Sequence, residues 1–330
     1  MHRFSAMSNQ LPNTSISSWD GPEGRNSTPS TELLPVPLTV NPWDVVLCVT
    51  GTLMSCENAL VLALVVSTPS LRAPMFLLIL SLALADTLAG LGLILNFTIT
   101  YMLDSDLVTL LAAGLLITAF SASVLSILAI TVDRYLSLYN ALTYHTERTV
   151  IFTYAVLVLI WLTSLTLGSL PVLGWNCLED AGACSVFRPV DKNHAAALAV
   201  AFLLVLALIL QLYLQICRIA FRHAQQIAVQ QQFMSAAHAS STTKGVSTLS
   251  AILGVFAACW VPLALYSLVA DTRYPPVYTY LAALPAICHS IINPVVYAFR
   301  NPDIQKGLRL ACCGCSSSRF SMRPRTPSDV

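Results

Sequence analysis

Long runs of apolar residues, separated by short polar stretches, fill the chain from about residue 43 onward. Each run has roughly the 20 residues, or more, that an α-helix needs to cross the hydrocarbon core of a bilayer. The pattern therefore predicts an all-α membrane protein, built as a bundle of seven transmembrane helices within residues 43–300. The predicted spans are 43–66, 74–102, 107–138, 150–173, 194–219, 245–269 and 277–299.

Composition supports this class and excludes others. The 330 residues are 56% hydrophobic and only 10% charged, and the mean hydropathy of +0.71 is far from that of a soluble domain. The net charge is +1, so the chain lacks the strongly basic balance of proteins that bind nucleic acid. We expect no nucleic-acid partner.

The basic residues of the predicted short loops fall on one side of the membrane. Loops of this kind are cytoplasmic by the positive-inside rule. The N-terminus is therefore expected outside the cell, with the chain in the plasma membrane as a multi-pass protein. The residues concerned are Arg72, Arg148, Arg218, Arg222, Lys244, Arg300, Lys306 and Arg309.

Residues 1–42 form a tail rich in Ser, Thr, Pro, Asn and Gly, a composition typical of disorder, and contain no apolar run that would serve as a cleavable signal peptide. Two segments of the tail, Asn13-Thr14-Ser15 and Asn26-Ser27-Thr28, match the acceptor pattern for N-glycosylation. Since the tail is expected outside the cell, glycans are predicted on Asn13 and Asn26.

Ionisable residues inside the spans are few, and they mark candidate functional positions. The third span closes with Asp133 and Arg134 after a long uncharged helix, and the second span carries Asp86 near mid-membrane. A carboxylate at that depth needs partners from other helices. Ser123 and Asn293, at similar depth, are the expected partners of Asp86.

Six spans each carry a short motif: Asn58, Asp86, Asp133-Arg134-Tyr135, Trp161, Cys259-Trp260-Val261-Pro262 and Asn293-Pro294-Val295-Val296-Tyr297. Together they resemble the rhodopsin-like, class A, G-protein-coupled receptors. The segments SCENALV, RAPMFLL and NPVVYAFRN also resemble the orphan receptors numbered three, six and twelve, most closely the third and twelfth. The resemblance implies coupling to a heterotrimeric G protein of the stimulatory type, which raises cyclic AMP through adenylyl cyclase, and regulation by arrestin and receptor kinases.

The resemblance also assigns a role to Arg134. In the inactive state of such receptors this arginine is held by its neighbour, here Asp133, and often by an acid at the start of the sixth helix. The sequence there is Ser240-Ser241-Thr242-Thr243-Lys244, so the acid is missing and Lys244 would repel Arg134. Losing an inactive-state contact shifts the population toward the active state, which predicts high basal signalling.

Further switch residues follow from the same resemblance. Trp260 stands beside Pro262, which kinks the sixth helix, and Phe256 lies one turn away on the same face; ordinary core packing is the alternative role for both aromatic residues. The hydroxyls of Tyr213 and Tyr297 are expected to meet Arg134 or a bridging water in the active state. The full predicted switch set is Asp133, Arg134, Tyr135, Tyr213, Lys244, Phe256, Trp260, Pro262, Asn293, Pro294 and Tyr297.

Asp86, Ser123 and Asn293 resemble the sodium site of the class, in which oxygen atoms hold a cation in the inactive state. His289 stands where an asparagine is usual, four residues before Asn293. An imidazole is a poor sodium ligand and could instead donate to Asp86. Sodium sensitivity is therefore expected to be weak.

The ligand pocket of the class lies near the outer third of the third span. Residues 112–117 carry no ionisable group, which disfavours a cationic amine as ligand. The predicted lining is apolar and suits a neutral or weakly polar lipid, such as an endogenous lipid of the membrane. Its residues are Leu116, Phe120, Trp260 and Leu265.

The ten cysteines depart from the usual arrangement of the class. Residues 106–110 contain none, so the common disulfide from that place to the second outer loop cannot form. Cys177 and Cys184 both lie in that loop, at a spacing that allows a short internal disulfide in an oxidising compartment.

The C-terminal region is predicted in two parts. Residues 301–311 fit a short amphipathic eighth helix along the inner leaflet. Residues 312–330 form a cytoplasmic tail with palmitoylation expected at Cys312, Cys313 and Cys315, in preference to a metal site; no metal or cofactor is predicted. Phosphorylation is predicted at Ser316, Ser317, Ser318, Thr326 and Ser328, and Ser328-Asp329-Val330 matches a terminal ligand of PDZ-type domains.

Two other classes of function remain open at this stage. A transporter or channel would show internal repeats or interrupted spans with several buried ions, and the sequence shows neither. An intramembrane enzyme would need a catalytic constellation, such as HExxH or paired aspartates at membrane depth, which is also missing. The sequence therefore favours a receptor and no enzymatic activity.

Overall fold

The computed structural model describes residues 40–68, 73–103, 105–139, 147–230 and 239–300. Within these residues the chain forms seven α-helices, one 3₁₀ turn at Ala181–Ala183 and two isolated β-bridges in the loop before the fifth helix. The helices are α1 Pro42–Ser67, α2 Pro74–Met102, α3 Asp106–Tyr139, α4 Glu147–Ser169, α5 Lys192–Gln230, α6 Ala239–Val269 and α7 Pro276–Arg300.

The seven helices follow the predicted spans closely, and the prediction of an all-α bundle is confirmed. In the described residues, five helices are long and apolar enough to cross a membrane, namely α1 to α4 and the part of α5 over Lys192–His223. α5 continues well beyond its predicted end, to Gln230. The predicted eighth helix at 301–311 and both tails lie outside the described residues.

α4 ends earlier than predicted, at Ser169, because of its local sequence. Pro171 cannot donate the backbone hydrogen bond that would continue the helix. The chain then reverses at Gly174, whose φ of +112° suits a residue without a side chain. This turn carries Trp175 back toward the start of α5.

Small residues let two pairs of helices approach at backbone distance. α1 crosses α2 where Gly51 faces Gly90, and α3 crosses α4 where Gly114 faces Gly168. A Cβ atom on Gly90 would overlap the carbonyl oxygen of Gly51 and the hydroxyl of Ser55. These crossings fix the positions of α2 and α3, which carry most of the polar residues of the interior.

Candidate functional site

A polar network surrounds Asp86 in the middle of the bundle, where the residue is completely buried. Its Oδ1 accepts hydrogen bonds from the hydroxyls of Ser123, at 2.8 Å, and Ser290, at 2.9 Å. Its Oδ2 accepts from the side-chain amide of Asn293 at 2.8 Å. The carboxylate thus ties α2 to α3 and α7, and Ser290 is a partner that the sequence did not reveal.

Two residues beside this network, Asn58 and His289, make different kinds of contact. Asn58 donates from its side chain to the carbonyl oxygens of Met54 and Ser290, at 3.0 and 3.2 Å, and so joins α1 to α7. His289 is buried, but its ring lies edge-on to Phe256 with centroids 4.9 Å apart. The prediction that His289 donates to Asp86 is wrong, because Ser290, the next residue on α7, is the one that donates to this carboxylate.

The hydrogen bonds of Asp86 lead to a prediction about sodium. Protein donors occupy three of the roughly four acceptor positions of this carboxylate, which leaves a sodium ion little of its coordinating capacity. We expect basal signalling to be unchanged when sodium chloride is replaced by choline chloride at constant ionic strength. A clear reduction of basal cyclic AMP by sodium would contradict this expectation.

Aromatic rings pack around Trp260 at the centre of α6. The ring of Phe120 meets it edge-on at 5.7 Å, and the ring of Phe202 lies at 5.5 Å. Phe256 lies one turn below Trp260, at 6.3 Å, and also contacts Phe202 at 6.2 Å. Phe120 belongs to α3 and Phe202 to α5, so rings from three helices meet at Trp260, two residues before Pro262, the proline inside α6.

One residue of the predicted pocket, Leu265, needs correction, and one that the prediction lacked, Phe202, lies beside Trp260. Leu265 lies five residues after Trp260 on α6, which places the two side chains on nearly opposite faces of the helix. The side chain of Leu265 is accordingly 51% exposed. Phe202, which the sequence analysis missed, lies against Trp260 instead. Leu116 and Phe120 do lie on the interior face of α3, packed with Met54, Ala89 and Ile287.

Arg134 lies at the end of α3 that faces away from the Trp260 cluster. It follows Phe120, Ser123 and Ile127 along one face of the helix. That face is the interior one, since Ser123 bonds Asp86 and Ile127 packs with Phe256. The side chain of Arg134 is exposed at this end of the bundle, on the face of α3 that carries Ser123 and Ile127.

The neighbours of Arg134 have different surroundings. Asp133 is largely buried and lines a groove toward α4, and the ring of Tyr135 stacks on Tyr139 with centroids 5.8 Å apart. Tyr213 on α5 packs against the cluster of Phe256 and Trp260. Lys244 belongs to α6, and Pro294 and Tyr297 belong to α7, but the side chains of Lys244 and Tyr297 lie outside the described residues.

Comparison with known proteins decides the class. The family described as 7 transmembrane receptor (rhodopsin family) matches residues 57–297 of the chain. The chain belongs to this family. Its function is therefore that of a G-protein-coupled receptor, which replaces the transporter, channel and enzyme alternatives.

Three relatives are similar over most of their length. "G-protein coupled receptor 12" of Homo sapiens is 63% identical over 89% of this chain and 88% of its own. "G-protein coupled receptor 3" of Rattus norvegicus is 54% identical over 99% of this chain and 97% of its own. "G-protein coupled receptor 6" of Homo sapiens is 54% identical over 88% and 80%, so the receptor belongs with this group.

At the end of the receptor opposite to Arg134, Cys177 and Cys184 form a disulfide within the loop between α4 and α5. Backbone pairing of Asn176 with Val190 and of Cys184 with Asp191 holds this loop against the start of α5. Asp191 also caps α5, since its Oδ1 accepts from the backbone N–H of Asn193 at 2.7 Å. The loop is thus fastened to α5.

The loop between α6 and α7 carries a smaller electrostatic contact with α5. Asp271 accepts a hydrogen bond from the backbone N–H of Arg273, which is the main cause lowering the pKa of its carboxyl. Lys192 at the start of α5 lies 3.5 Å from the same carboxylate. Such exposed pairs contribute little stability, so the contact orients the loop more than it strengthens the fold.

The carboxylate of Asp44, which the sequence analysis did not single out, is buried where α1 meets α2 and α7. Asp44 accepts hydrogen bonds of 2.7 Å from the hydroxyls of Tyr101 and Tyr280. Tyr280 is 1% exposed, receives a hydrogen bond from the amide of Asn41 at 3.1 Å and stacks on Trp43. The first turn of α1 is thereby joined to α2 and α7.

We expect Tyr280→Phe to lower the stability of the purified receptor by about 2 kcal/mol, because a buried carboxylate loses a charge-assisted hydrogen bond. Thermal unfolding in detergent measures the change. Tyr278→Phe is the matched control, since Tyr278 is 53% exposed on the same helix. Equal melting temperatures for the two variants would show that the Asp44 contact contributes little.

Proposed function

We propose that the receptor signals without an agonist through the stimulatory G protein and so raises cyclic AMP through adenylyl cyclase. The observation that carries the proposal is the position of Arg134, exposed at the mouth of the bundle on the interior face of α3. A G-protein segment entering that mouth meets a guanidinium, whose charge persists at any physiological pH.

The sequence of α6 supports basal activity. No Asp or Glu occurs anywhere in Ala239–Val269, so α6 offers no carboxylate that would hold Arg134 in an inactive state. An active state that lies only a few kcal/mol above the inactive one becomes substantially populated when such a contact is lost. The choice of the stimulatory G protein rests on the group to which the receptor belongs.

For the ligand, we propose a neutral or weakly polar lipid bound against Leu116, Phe120, Trp260 and Phe202. The surroundings of Trp260 are apolar and aromatic, which suits a hydrocarbon chain. The indole N–H of Trp260 is buried and, among the residues that the structure describes, has no hydrogen-bond partner. It offers a single donor to a weakly polar group of the ligand.

Orientation and modification complete the proposal. The N-terminus lies outside the cell, with glycans on Asn13 and Asn26, and the receptor resides in the plasma membrane. The cytoplasmic tail carries palmitate and phosphate groups at the positions predicted above, binds arrestin after phosphorylation by receptor kinases and offers Val330 to a PDZ-type domain. All these tail positions lie outside the described residues.

Basal cyclic AMP in transfected cells, measured without added agonist, tests the proposal. We expect a level well above that of cells carrying empty vector, and loss of the excess in cells that lack the stimulatory Gα subunit. Surface labelling shows that the receptor has reached the membrane. A well-expressed receptor that leaves cyclic AMP at the vector level would overturn the proposal of basal activity.

A further inference from the structure

Glu57 is an ionisable residue of α1 that takes no part in the polar network around Asp86. It lies 15 residues after Pro42, where α1 begins, and 10 residues before Ser67, where α1 ends. At a rise of 1.5 Å per residue, Glu57 is about 22 Å from one end of the helix and about 15 Å from the other. Its carboxyl group therefore lies within the hydrocarbon region, where an ionisable side chain is costly and usually has a partner.

Glu57 has no such partner among the residues that the structure describes. Its Oε2 atom is buried and makes no hydrogen bond with them. The next residue, Asn58, turns to the interior of the bundle and donates to the carbonyl oxygens of Met54 and Ser290. The polar interior thus engages Asn58 and leaves Glu57 out.

The sequence offers no cation for Glu57 either. Within the seven predicted spans, the only lysine or arginine residues are Arg134 and Arg218, and each lies within five residues of the end of its span. The charged head groups of lipids stay at the membrane interface and do not reach this depth. A counter-charge for Glu57 must therefore come from another protein.

The surface beside Glu57 is open to a partner. Leu53 and Leu60, about one turn away on either side along α1, are 52% and 49% exposed, and Val49 is 54% exposed. Cys56, which is also exposed, is small enough to let a second helix approach closely. Glu57 is partly exposed at the edge of this face, which we call the outer face of α1.

We propose that the outer face of α1 binds a transmembrane helix of another membrane protein, and that this helix carries a lysine or arginine at the depth of Glu57. The cation lies against the carboxyl group and donates the missing hydrogen bonds, while apolar residues of the partner pack on Leu53 and Leu60. Opposite charges attract strongly in hydrocarbon because its polarity is low. A second copy of the receptor does not fit, since its spans carry no central cation. The proposal is independent of the basal activity and the lipid ligand proposed above.

Energy transfer between the labelled full-length receptor and designed single-span helices tests the proposal in phosphatidylcholine vesicles. Three host helices of leucine and alanine are the probes, and they differ only at one central position, which is lysine, glutamine or leucine. We expect the lysine host to bind the receptor about tenfold more tightly than the leucine host, because only the lysine host supplies a cation to Glu57.

Three substitutions locate the contact. Glu57→Gln keeps the size of the side chain and removes its charge, and we expect it to weaken binding of the lysine host about tenfold. Leu60→Trp adds bulk to the outer face of α1 and should also weaken binding. Leu162→Trp is its matched control, because Leu162 is 58% exposed on α4 and lies away from Glu57. Thermal unfolding shows whether each variant is folded.

Four results would overturn the proposal. The first is equal binding of the lysine and leucine hosts, and the second is unchanged binding of the lysine host to folded Glu57→Gln. The third is a glutamine host that binds as tightly as the lysine host, which would identify a neutral hydrogen-bonding helix as the partner. The fourth is energy transfer between two labelled copies of the receptor that Glu57→Gln abolishes, which would identify a second copy as the occupant. If Leu60→Trp does not fold, Glu57→Gln and the three hosts decide alone.

Discussion

Arg134→Ala is expected to abolish the proposed basal cyclic AMP signal and to bring it to the level of cells carrying empty vector. The guanidinium lies on the interior face of α3, exposed at the mouth of the bundle. Its removal leaves a G-protein segment without the cation that it meets there, while the packing around Ser123 and Ile127 is unaffected. Cyclic AMP per receptor at the cell surface, without agonist, is the measurement.

Two controls separate this role from a general effect of positive charge. Arg134→Lys keeps the charge but loses the planar, multiply donating group, and we expect partial activity. Arg222→Ala removes an exposed arginine from α5, and we expect near-normal activity. The role given to Arg134 fails if Arg134→Ala keeps the basal signal of the unsubstituted receptor at equal surface expression.

Gly168→Ala is expected to destabilise the receptor by about 3 kcal/mol, the upper end for overpacking, and to reduce its surface expression strongly. The added Cβ atom would overlap the carbonyl oxygen of Gly114 and the hydroxyl of Thr118. A side chain can rotate away from such a contact, but a backbone carbonyl within a helix cannot. α4 would therefore have to move away from α3 at this crossing.

Gly254→Ala is the matched control for this substitution. Gly254 belongs to α6, and a Cβ atom there would meet nothing within 4 Å. Since alanine favours the helix over glycine by about 1 kcal/mol, we expect unchanged or slightly raised stability. Thermal unfolding of the purified variants checks both results, and a Gly168→Ala receptor as stable as the Gly254→Ala receptor would contradict the close packing of α3 on α4.

The position of the helices along the chain could be predicted because it depends on length and hydropathy alone. A long apolar run must form a helix in a bilayer, since no water is present to satisfy its backbone groups. Two helix ends differ from the prediction. α4 ends early, before Pro171 and the turn at Gly174, and α5 continues through a more polar segment to Gln230, and hydropathy registers neither.

The direction in which each side chain points could not be predicted in the same way. In a soluble helix the polar face marks the outside, but here the lipid-facing and interior faces are both apolar. Hydropathy therefore does not distinguish Leu265, which is exposed on the outside of the bundle, from Phe202, which lies against Trp260.

The sequence by itself determined the seven spans and the family, because span length, local motifs and the loops between them are properties of contiguous residues. Only the tertiary structure decided the partners: Asp86 bonds Ser290 and not His289, and Asp44 accepts hydrogen bonds from both Tyr101 and Tyr280. These pairs depend on how each helix is rotated about its axis. That rotation is set by close contacts between distant segments, such as Gly114 on Gly168, and no single span contains it.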